Sequence, residues 1–239
     1  MSTPEISTAI VTGASSGIGL GIAQALLERG WNVVGTSRTI TQSKDLKPTP
    51  QLVLVDGEAS KKATAVAVVD AALKQFGRID LLVNNAGIFV PKAFTDYTED
   101  DFNRVMSTNV ASYFYMTQQV IPTMKKQRAG HVVNISAVAA DQPSAGMLLA
   151  VLSKSTMPAV SKGLAIEYAA DNIRFNTVSP AAVNTPMHAN EDHAELAKFH
   201  PLGRIGEISD VVDAVLYLQG ATFVTGENIR VDGGVHAGR

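Results

Sequence analysis

The stretch Thr12-Gly13-Ala14-Ser15-Ser16-Gly17-Ile18-Gly19 decides how this chain folds. An apolar run at 8–11 precedes it, and apolar side chains then recur at helical spacing over 18–29 until Gly30. A strand, a glycine-rich turn and a helix in this order form a site where backbone N–H groups bind phosphate. We therefore expect the turn to hold a pyrophosphate. The alternative is a glycine- and serine-rich turn without a ligand.

Each glycine of the turn has its own role in such a site. Gly13 permits the tight turn, Gly17 lets the backbone approach a pyrophosphate, and Gly19 lets the helix pack against the sheet. The spacing differs from the common dinucleotide-binding pattern, because three residues rather than one separate the first two glycines. The residues of the turn that are predicted to contact the ligand are Gly13, Ser15, Ser16, Gly17, Ile18 and Gly19.

Short apolar runs alternate with helical patterns along the rest of the chain. Besides 8–11, strands are predicted at 32–35, 52–55, 79–84, 131–135, 173–178 and 229–231. Helices are predicted at 61–76 and 98–126, and Pro122 bends the second or marks its last turn. Strands that alternate with helices of this length require crossover connections and a parallel sheet covered on both faces. We predict an α/β fold of Rossmann type, with a doubly wound sheet of seven parallel strands in a single domain, 1–239.

Composition and charge exclude several classes of function. The chain has 239 residues, no cysteine and a net charge of −2, with 46% hydrophobic and 18% charged residues. Disulfides and thiolate metal sites are excluded, and no basic cluster indicates nucleic acid or a membrane as a partner. We find no signal peptide and no apolar run of about 18 residues. The expectation is a soluble cytoplasmic protein.

Further motifs follow the first turn in a fixed order. They are Asn84-Asn85-Ala86-Gly87 after a predicted strand, Asn109, Ser179-Pro180 with Thr185, Pro201-Leu202-Gly203-Arg204 and Val231-Asp232-Gly233-Gly234. Together with the TGxxxGxG turn, they resemble the short-chain dehydrogenase/reductase (SDR) family over almost the whole chain. The resemblance implies a nicotinamide cofactor and hydride transfer with a small carbonyl, alcohol or imine substrate. It also implies a homo-oligomer, either a tetramer or a dimer.

The end of the second predicted strand, Ser37-Arg38, indicates which nicotinamide cofactor is bound. A carboxylate here would accept the ribose hydroxyls of NAD, whereas an arginine can hold the 2′-phosphate of NADP. We therefore predict NADP, with NAD as the alternative if Arg38 only stacks on the adenine or lies in solvent. By resemblance, Asp56 binds the adenine amino group, although it could instead cap the next helix. The other predicted cofactor contacts are Asn84, Ala86, Gly87, Lys154, Pro180 and Thr185.

The resemblance also assigns the catalytic positions. The family uses a tyrosine as proton donor, a lysine four residues later, a serine that orients the carbonyl, and an asparagine that supports a water chain. Lys154 and Asn109 match this pattern. The tyrosine position, however, holds Ala150, and the serine position holds Ala137. A shift of one residue would make Ser136 the serine, and because neighbouring strand residues face opposite sides, the register decides.

Three interpretations of the two alanines are open. The first is an oxidoreductase with another proton source, and the candidates are Lys154 through water, Asp141, Ser144 and His188. An iminium or quinone-like acceptor would not need a strong acid at all. The second is a protein that binds the cofactor without turnover, as a sensor or assembly subunit. The third is a variant of an active reductase in which serine and tyrosine have been replaced by alanine.

A polar stretch at 185–201 contains three of the five histidines, His188, His193 and His200. Acidic residues lie nearby, but the spacings match no metal-binding pair such as HExxH, so no metal site is predicted. We interpret the stretch as an exposed substrate lid over the cofactor cleft. Met187 and His188 are the candidates for substrate contact within it.

Overall fold

The computed structural model describes residues 6–238, which are arranged around a sheet of seven strands. In chain order these are β1 (Thr8–Thr12), β2 (Asn32–Ser37), β3 (Leu52–Asp56), β4 (Leu81–Asn84), β5 (Gly130–Ile135), β6 (Ile173–Pro180) and β7 (Asn228–Val231). Every pairing is parallel, and the spatial order is β3-β2-β1-β4-β5-β6-β7. The predicted α/β fold of Rossmann type with seven parallel strands is confirmed.

Helices cover both faces of the sheet. Those of the described residues are α1 (Gly17–Glu28), α2 (Lys62–Phe76), α3 (Glu99–Met106), α4 (Ser112–Gln127), α5 (Leu148–Lys154), α6 (Thr156–Glu167), α7 (His193–Ala197) and α8 (Ile208–Gly220). α1 and α8 bury Leu26 and Val215 in the core on one face. α2, α4 and α6 bury Val68, Met116 and Ala165 in the core on the other. Between residues 6 and 238, no helix is both long and apolar enough to cross a membrane.

The middle of the sheet explains where a ligand can lie. β1 and β4 are buried along their whole length, which is why both read as continuous apolar runs in the sequence. β1 pairs with β2 on one side and with β4 on the other, so the strand order reverses between β1 and β4. At such a reversal the connections leave in opposite directions and open a crevice at the carboxyl ends of the strands. The glycine turn borders this crevice.

The long helix predicted over 98–126 is present as helical backbone from Glu99 to Gln127, with a π-helical segment between two α-helices. α3 ends at Met106, a π-helical segment covers Ser107–Ala111, and α4 continues to Gln127 with Pro122 in its interior. The segment contains Asn109, which is fully buried. A π-helical turn has i→i+5 hydrogen bonds, and a segment of five residues is too short to be distinguished from regular helical periodicity in the sequence.

The close packing of α1 on the sheet generates a prediction for Gly19. A Cβ added at Gly19 would lie 2.4 Å from the backbone oxygen of Gly13. We expect Gly19→Ala to lower the free energy of unfolding by about 1–3 kcal/mol, because the backbone has to move. The matched control is Gly163→Ala in α6, where a Cβ meets nothing within 4 Å. The control should gain about 0.5–1 kcal/mol, and equal midpoints of the two variants in urea denaturation would contradict the prediction.

Candidate active site

Two side chains, Thr12 and Asn85, hold the glycine turn against the end of β4. The Thr12 hydroxyl accepts hydrogen bonds from the backbone N–H groups of Asn85 and Ala86, both at 3.0 Å. The Asn85 amide donates to the backbone oxygens of Thr12 and Gly13, at 3.0 and 3.3 Å. Strand and turn are therefore fixed relative to each other. Neither residue is among the predicted contacts, although both lie within the motifs quoted above.

The N-terminus of α1 is open to an anion. Ser16 is the N-cap residue, yet no side chain caps the helix and its first turn carries no acidic residue. The unpaired N–H groups and the helix dipole therefore favour a negative group at this end. Gly17, with φ of +54°, stands opposite Thr185, and a Cβ at Gly17 would lie 3.5 Å from the Thr185 side chain. A larger residue at this position would fill the space in front of the helix.

The carboxyl ends of β2 and β3 place Ser37 and Asp56 side by side as register partners. Arg38 follows, exposed, and it makes no hydrogen bond or ion pair with any of residues 6–238. The Asp56 carboxylate accepts hydrogen bonds from the hydroxyl and the backbone N–H of Thr41, which hold the pKa of Asp56 below its usual range. The alternative role of Asp56 as a helix cap is wrong, because Lys61 is the N-cap residue of α2.

Asn84 is the predicted contact whose side chain is already engaged elsewhere. It is buried, and its Nδ2 donates to Thr117 Oγ1 at 3.1 Å and to Asn134 Oδ1 at 2.9 Å. The side chain thus ties β4 to β5 and α4. Its Oδ1 is buried without a hydrogen-bond partner, so the side chain is not exposed to the crevice. Pro180 ends β6 at the same edge and is buried.

Lys154, Asn109 and Gly87 converge at one point of this edge. A Cβ at Gly87 would lie 3.2 Å from Lys154 Nζ and 3.4 Å from Asn109 Oδ1. The Asn109 carboxamide is fixed, since it accepts from the backbone N–H of Ile88 at 2.8 Å and donates to the Ile88 oxygen at 3.0 Å. Lys154 Nζ donates to the backbone oxygen of Ile135 at 2.7 Å. The glycine is the residue type that leaves room for both side chains.

The amine of Lys154 is the titratable group at this point. Burial lowers its pKa from the usual 10.5 to about 8. No carboxylate of the described part of the chain forms an ion pair with it. The amine is therefore mostly protonated at neutral pH. It loses its proton when the pH rises only slightly above neutrality.

The structure separates Ser136 from the open crevice. Ser136 is buried, and its hydroxyl donates to the backbone oxygen of Lys154 at 2.8 Å, at the end of α5. Ala137 follows in extended conformation and is partly exposed. Ala150 lies on α5 one turn before Lys154 and is also partly exposed. The two positions expected to carry hydroxyl groups therefore carry methyl groups.

Two loops beside the crevice are joined through Gly146, which precedes α5. The backbone N–H of Lys92 donates to the Gly146 oxygen at 3.1 Å. The Tyr97 hydroxyl lies 2.9 Å from the oxygen of Val90 and 3.1 Å from that of Gly146. Its single proton can be donated to one of them at a time. Tyr97 lies in a loop, so it belongs to no periodic pattern in the sequence that would indicate a role.

Residues 185–201 follow β6 and form a separate segment outside the sheet, which contains α7. Backbone hydrogen bonds close its base: Asn184 N–H donates to the Gly206 oxygen, and Gly206 N–H donates to the Ala182 oxygen, both at 2.8 Å. Thr185 is the first residue of this segment and faces Gly17 of the glycine turn. Movement of this stretch would therefore change access to the N-terminus of α1.

The histidines of this stretch have separate partners. His188 Nδ1 lies 3.0 Å from a carboxylate oxygen of Glu191, and His193 Nε2 lies 3.1 Å from the backbone oxygen of His188. His200 is buried, with Nδ1 at 2.9 Å from the oxygen of Leu196. Within residues 6–238, no group of three or more histidine and carboxylate side chains is arranged to hold a metal ion.

Comparison with known proteins identifies the family. A family model described as enoyl-(acyl carrier protein) reductase matches residues 13–236. The chain is 31% identical to 3-oxoacyl-[acyl-carrier-protein] reductase FabG of Salmonella typhimurium, over 97% of this chain and 98% of that protein. The chain belongs to the SDR family. The expectation from the ordered motifs is confirmed.

Solved SDR structures share the architecture of this chain. The 3-ketoacyl-(acyl-carrier-protein) reductase of Brucella melitensis, complexed with NADH, is 30% identical, with a TM-score of 0.88 over 98% of this chain and all of that one. ElxO with NADP bound is 25% identical, with a TM-score of 0.89 over 96% of this chain and 98% of that one. Both structures hold a nicotinamide cofactor in the same fold.

The positions that the resemblance assigns to the family's serine and tyrosine hold Ala137 and Ala150. Neighbouring hydroxyl groups do not compensate directly, because Ser136 is bonded to the main chain of Lys154. Tyr97 is likewise bonded to loop carbonyl groups. Asn109 and Lys154 both lie close to Gly87.

The buried Asn109 gives a prediction for stability. Asn109→Ala would leave the N–H and the carbonyl oxygen of Ile88 without their partner, and we expect a loss of about 1–3 kcal/mol for each unpaired group. Asn103→Ala, at an exposed position of α3, is the control and should change stability by less than about 0.5 kcal/mol. Urea denaturation measures both. Similar losses in the two variants would show that the buried contacts are unimportant.

Proposed function

We propose that this SDR member is an oxidoreductase that transfers hydride between NADP(H) and a small, weakly polar substrate. The reacting atom is a carbonyl or imine carbon, or the carbon of the corresponding alcohol. One observation carries the proposal: the open N-terminus of α1 and the cluster of Lys154, Asn109 and Gly87 lie at one edge of the sheet. The first fits a diphosphate and the second fits the sugar beside the nicotinamide. When bound, NADPH supplies the hydride.

The residues at the ends of β2 and β3 favour the phosphorylated cofactor. Arg38 is exposed and unpaired within the described chain, so its guanidinium is available for a 2′-phosphate. β2 itself ends without a carboxylate that would accept ribose hydroxyls, since Ser37 is its last residue. The related structures contain NADH in one case and NADP in the other, so the choice rests on Arg38, and NAD is the alternative.

Lys154 is the proton source that the contacts support best. Asp141 is paired with Arg230 at 2.7 Å, and His188 is paired with Glu191. Lys154 Nζ uses one proton for the Ile135 oxygen, which leaves two protons that can be donated through water to an oxygen on the substrate. A group with a pKa near 8 combines a substantial protonated fraction at neutral pH with easy proton transfer.

The surroundings of the crevice support a compact, weakly polar substrate. Residues 139–152 are mostly small or apolar side chains, which is typical of pockets for such ligands. We infer that 185–201 acts as the lid, since a Cβ at Gly17 of the glycine turn would lie 3.5 Å from the side chain of its first residue, Thr185. Met187 and His188 of the lid then face the substrate. Phe114 on α4 and Ile166 on α6 are large, exposed and apolar, which supports a homo-oligomer, either a tetramer or a dimer.

A second candidate function is cofactor binding without turnover. It is favoured by Ala137 and Ala150, because loss of a general acid typically lowers a rate by about 10²–10⁴. Such a protein would act as a sensor or as a subunit of an assembly. The same contacts to the cofactor would serve either function, so only turnover distinguishes them.

Restoring the hydroxyl group tests the proposed function. We expect the protein to oxidise NADPH with some member of a panel of ketones, imines and quinones, and Lys154→Met to abolish this activity. Ala150→Tyr should raise ketone reduction by about 10²–10⁴ if only the acid is missing, while Ala150→Phe, the matched control, should not. The measurement is NADPH absorbance over time, with binding measured separately by calorimetry.

The outcomes separate the alternatives. Folded protein that does not bind NADPH would refute the proposal. Binding with no turnover in the native chain, together with turnover in Ala150→Tyr, would establish the second candidate. Equal ketone reduction in Ala150→Tyr and Ala150→Phe would show that the position does not reach the substrate oxygen.

The pKa of Lys154 predicts the pH dependence of reduction. The donor must be protonated, so the rate should be constant below its pKa of about 8 and fall about tenfold per pH unit above it. Lys154→Arg keeps its proton throughout this range, so any activity that it retains should not fall. A native profile without a decline between pH 7 and 10 would exclude Lys154 as the proton source.

A further inference from the structure

Asp56 and Thr41 form an unusually restricted pair at the adenosine end of the crevice. The Asp56 side chain is exposed, where a carboxylate ordinarily rotates freely. Here the backbone N–H of Thr41 donates to Oδ1 at 2.9 Å, and the Thr41 hydroxyl donates to Oδ2 at 2.5 Å. Two donors on one residue thus bind both oxygens of one carboxylate. The direction of the Asp56 side chain is fixed by Thr41.

Thr41 is itself held by the core of the protein. It lies in the short 3-10 turn Ile40–Gln42, whose first residue, Ile40, is completely buried among side chains of β1 and α1. Gly35 makes room for this anchor, since a Cβ there would lie 3.0 Å from Ile40 Cδ1. The donor groups of Thr41 therefore belong to a rigid turn and not to a mobile loop.

A fixed carboxylate at this place can select a base. Each carboxylate oxygen has lone pairs beyond the one that Thr41 uses, and Ser37 and Arg38 lie beside it at the same edge. The amino group of adenine is a hydrogen-bond donor and suits such an acceptor. Hypoxanthine carries a carbonyl oxygen at that position, which the carboxylate would repel.

We propose that Thr41 is a positioning residue that fixes Asp56 as the acceptor for the amino group of adenine. The inference rests on the proposed binding of NADP(H) and adds the residue that makes its adenine end selective. In this role Thr41 acts through Asp56 and needs no contact of its own with the cofactor. It acts by removing the rotational freedom that the Asp56 carboxylate would otherwise lose on binding.

The test compares reduced NADP with its analogue in which hypoxanthine replaces adenine, both titrated calorimetrically against the full chain. The native protein should prefer the adenine form by about tenfold, as expected for a hydrogen bond to a charged group. Thr41→Val, which keeps the backbone donor, should reduce this preference to about twofold. Thr41→Ser should restore it, because the hydroxyl returns. Arg38→Gln should weaken both ligands equally and leave the preference unchanged.

A double substitution distinguishes positioning from general damage to the turn. In an Asp56→Ala background the preference should be absent, and adding Thr41→Val should change it no further. If Thr41→Val does not fold, Thr41→Ala removes the same bond with a smaller side chain. Native protein that binds neither ligand would refute the proposed function and this inference together. Native protein that binds NADPH, with an undiminished adenine preference in the Thr41 variants, would overturn this inference alone.

Discussion

The structure depends on the contact between the glycine turn and the end of β4. Gly19 and Gly13 bring α1 so close to the sheet that no side chain fits between them. Thr12 and Asn85 fix this contact with hydrogen bonds between residues that are far apart in the sequence. Because α1 begins directly above the strand ends, its unpaired N–H groups point into the crevice at the reversal of strand order.

Behind the crevice lies a set of buried polar groups that are almost fully paired. Asn84, Asn134 and Ser161 form a chain of hydrogen bonds across β4, β5 and α6. Asn109 forms a second set from within the π-helical segment. Buried polar groups that are paired keep a fixed geometry, since breaking any bond leaves a partner unpaired. The groups in front, such as Arg38, remain exposed and free for a ligand.

Lys154 connects this rigid background with the chemistry. Its main chain accepts from Ser136 and its side chain donates to Ile135, so both ends of the residue are tied to the end of β5. Burial lowers the pKa of the amine to about 8. The protonated amine is therefore a stronger acid than that of an exposed lysine. Positions 137 and 150, where the resemblance implies a serine and a tyrosine, hold alanine.

The sequence by itself determined the strands, the glycine turn and the family. These features are local: a buried parallel strand is a short apolar run, and a phosphate-binding turn is a fixed spacing of glycines. The sequence also indicated Asn109 and Lys154 as site residues, and in the structure both lie beside Gly87. It did not reveal the π-helical segment around Asn109, and it left Ser136 as an alternative.

Only the tertiary structure decided the partners of individual side chains. Ser136 bonds to Lys154 18 residues away, and Thr41 bonds to Asp56 15 residues away. Likewise, the side chain of Asn84 turns inward to Asn134 instead of toward the crevice. Such pairings depend on how strands and helices meet in space, and neither periodicity nor residue spacing contains that information. Local sequence patterns therefore predicted the strands and turns that form the site. The orientation of the polar side chains in the site could be seen only in the tertiary structure.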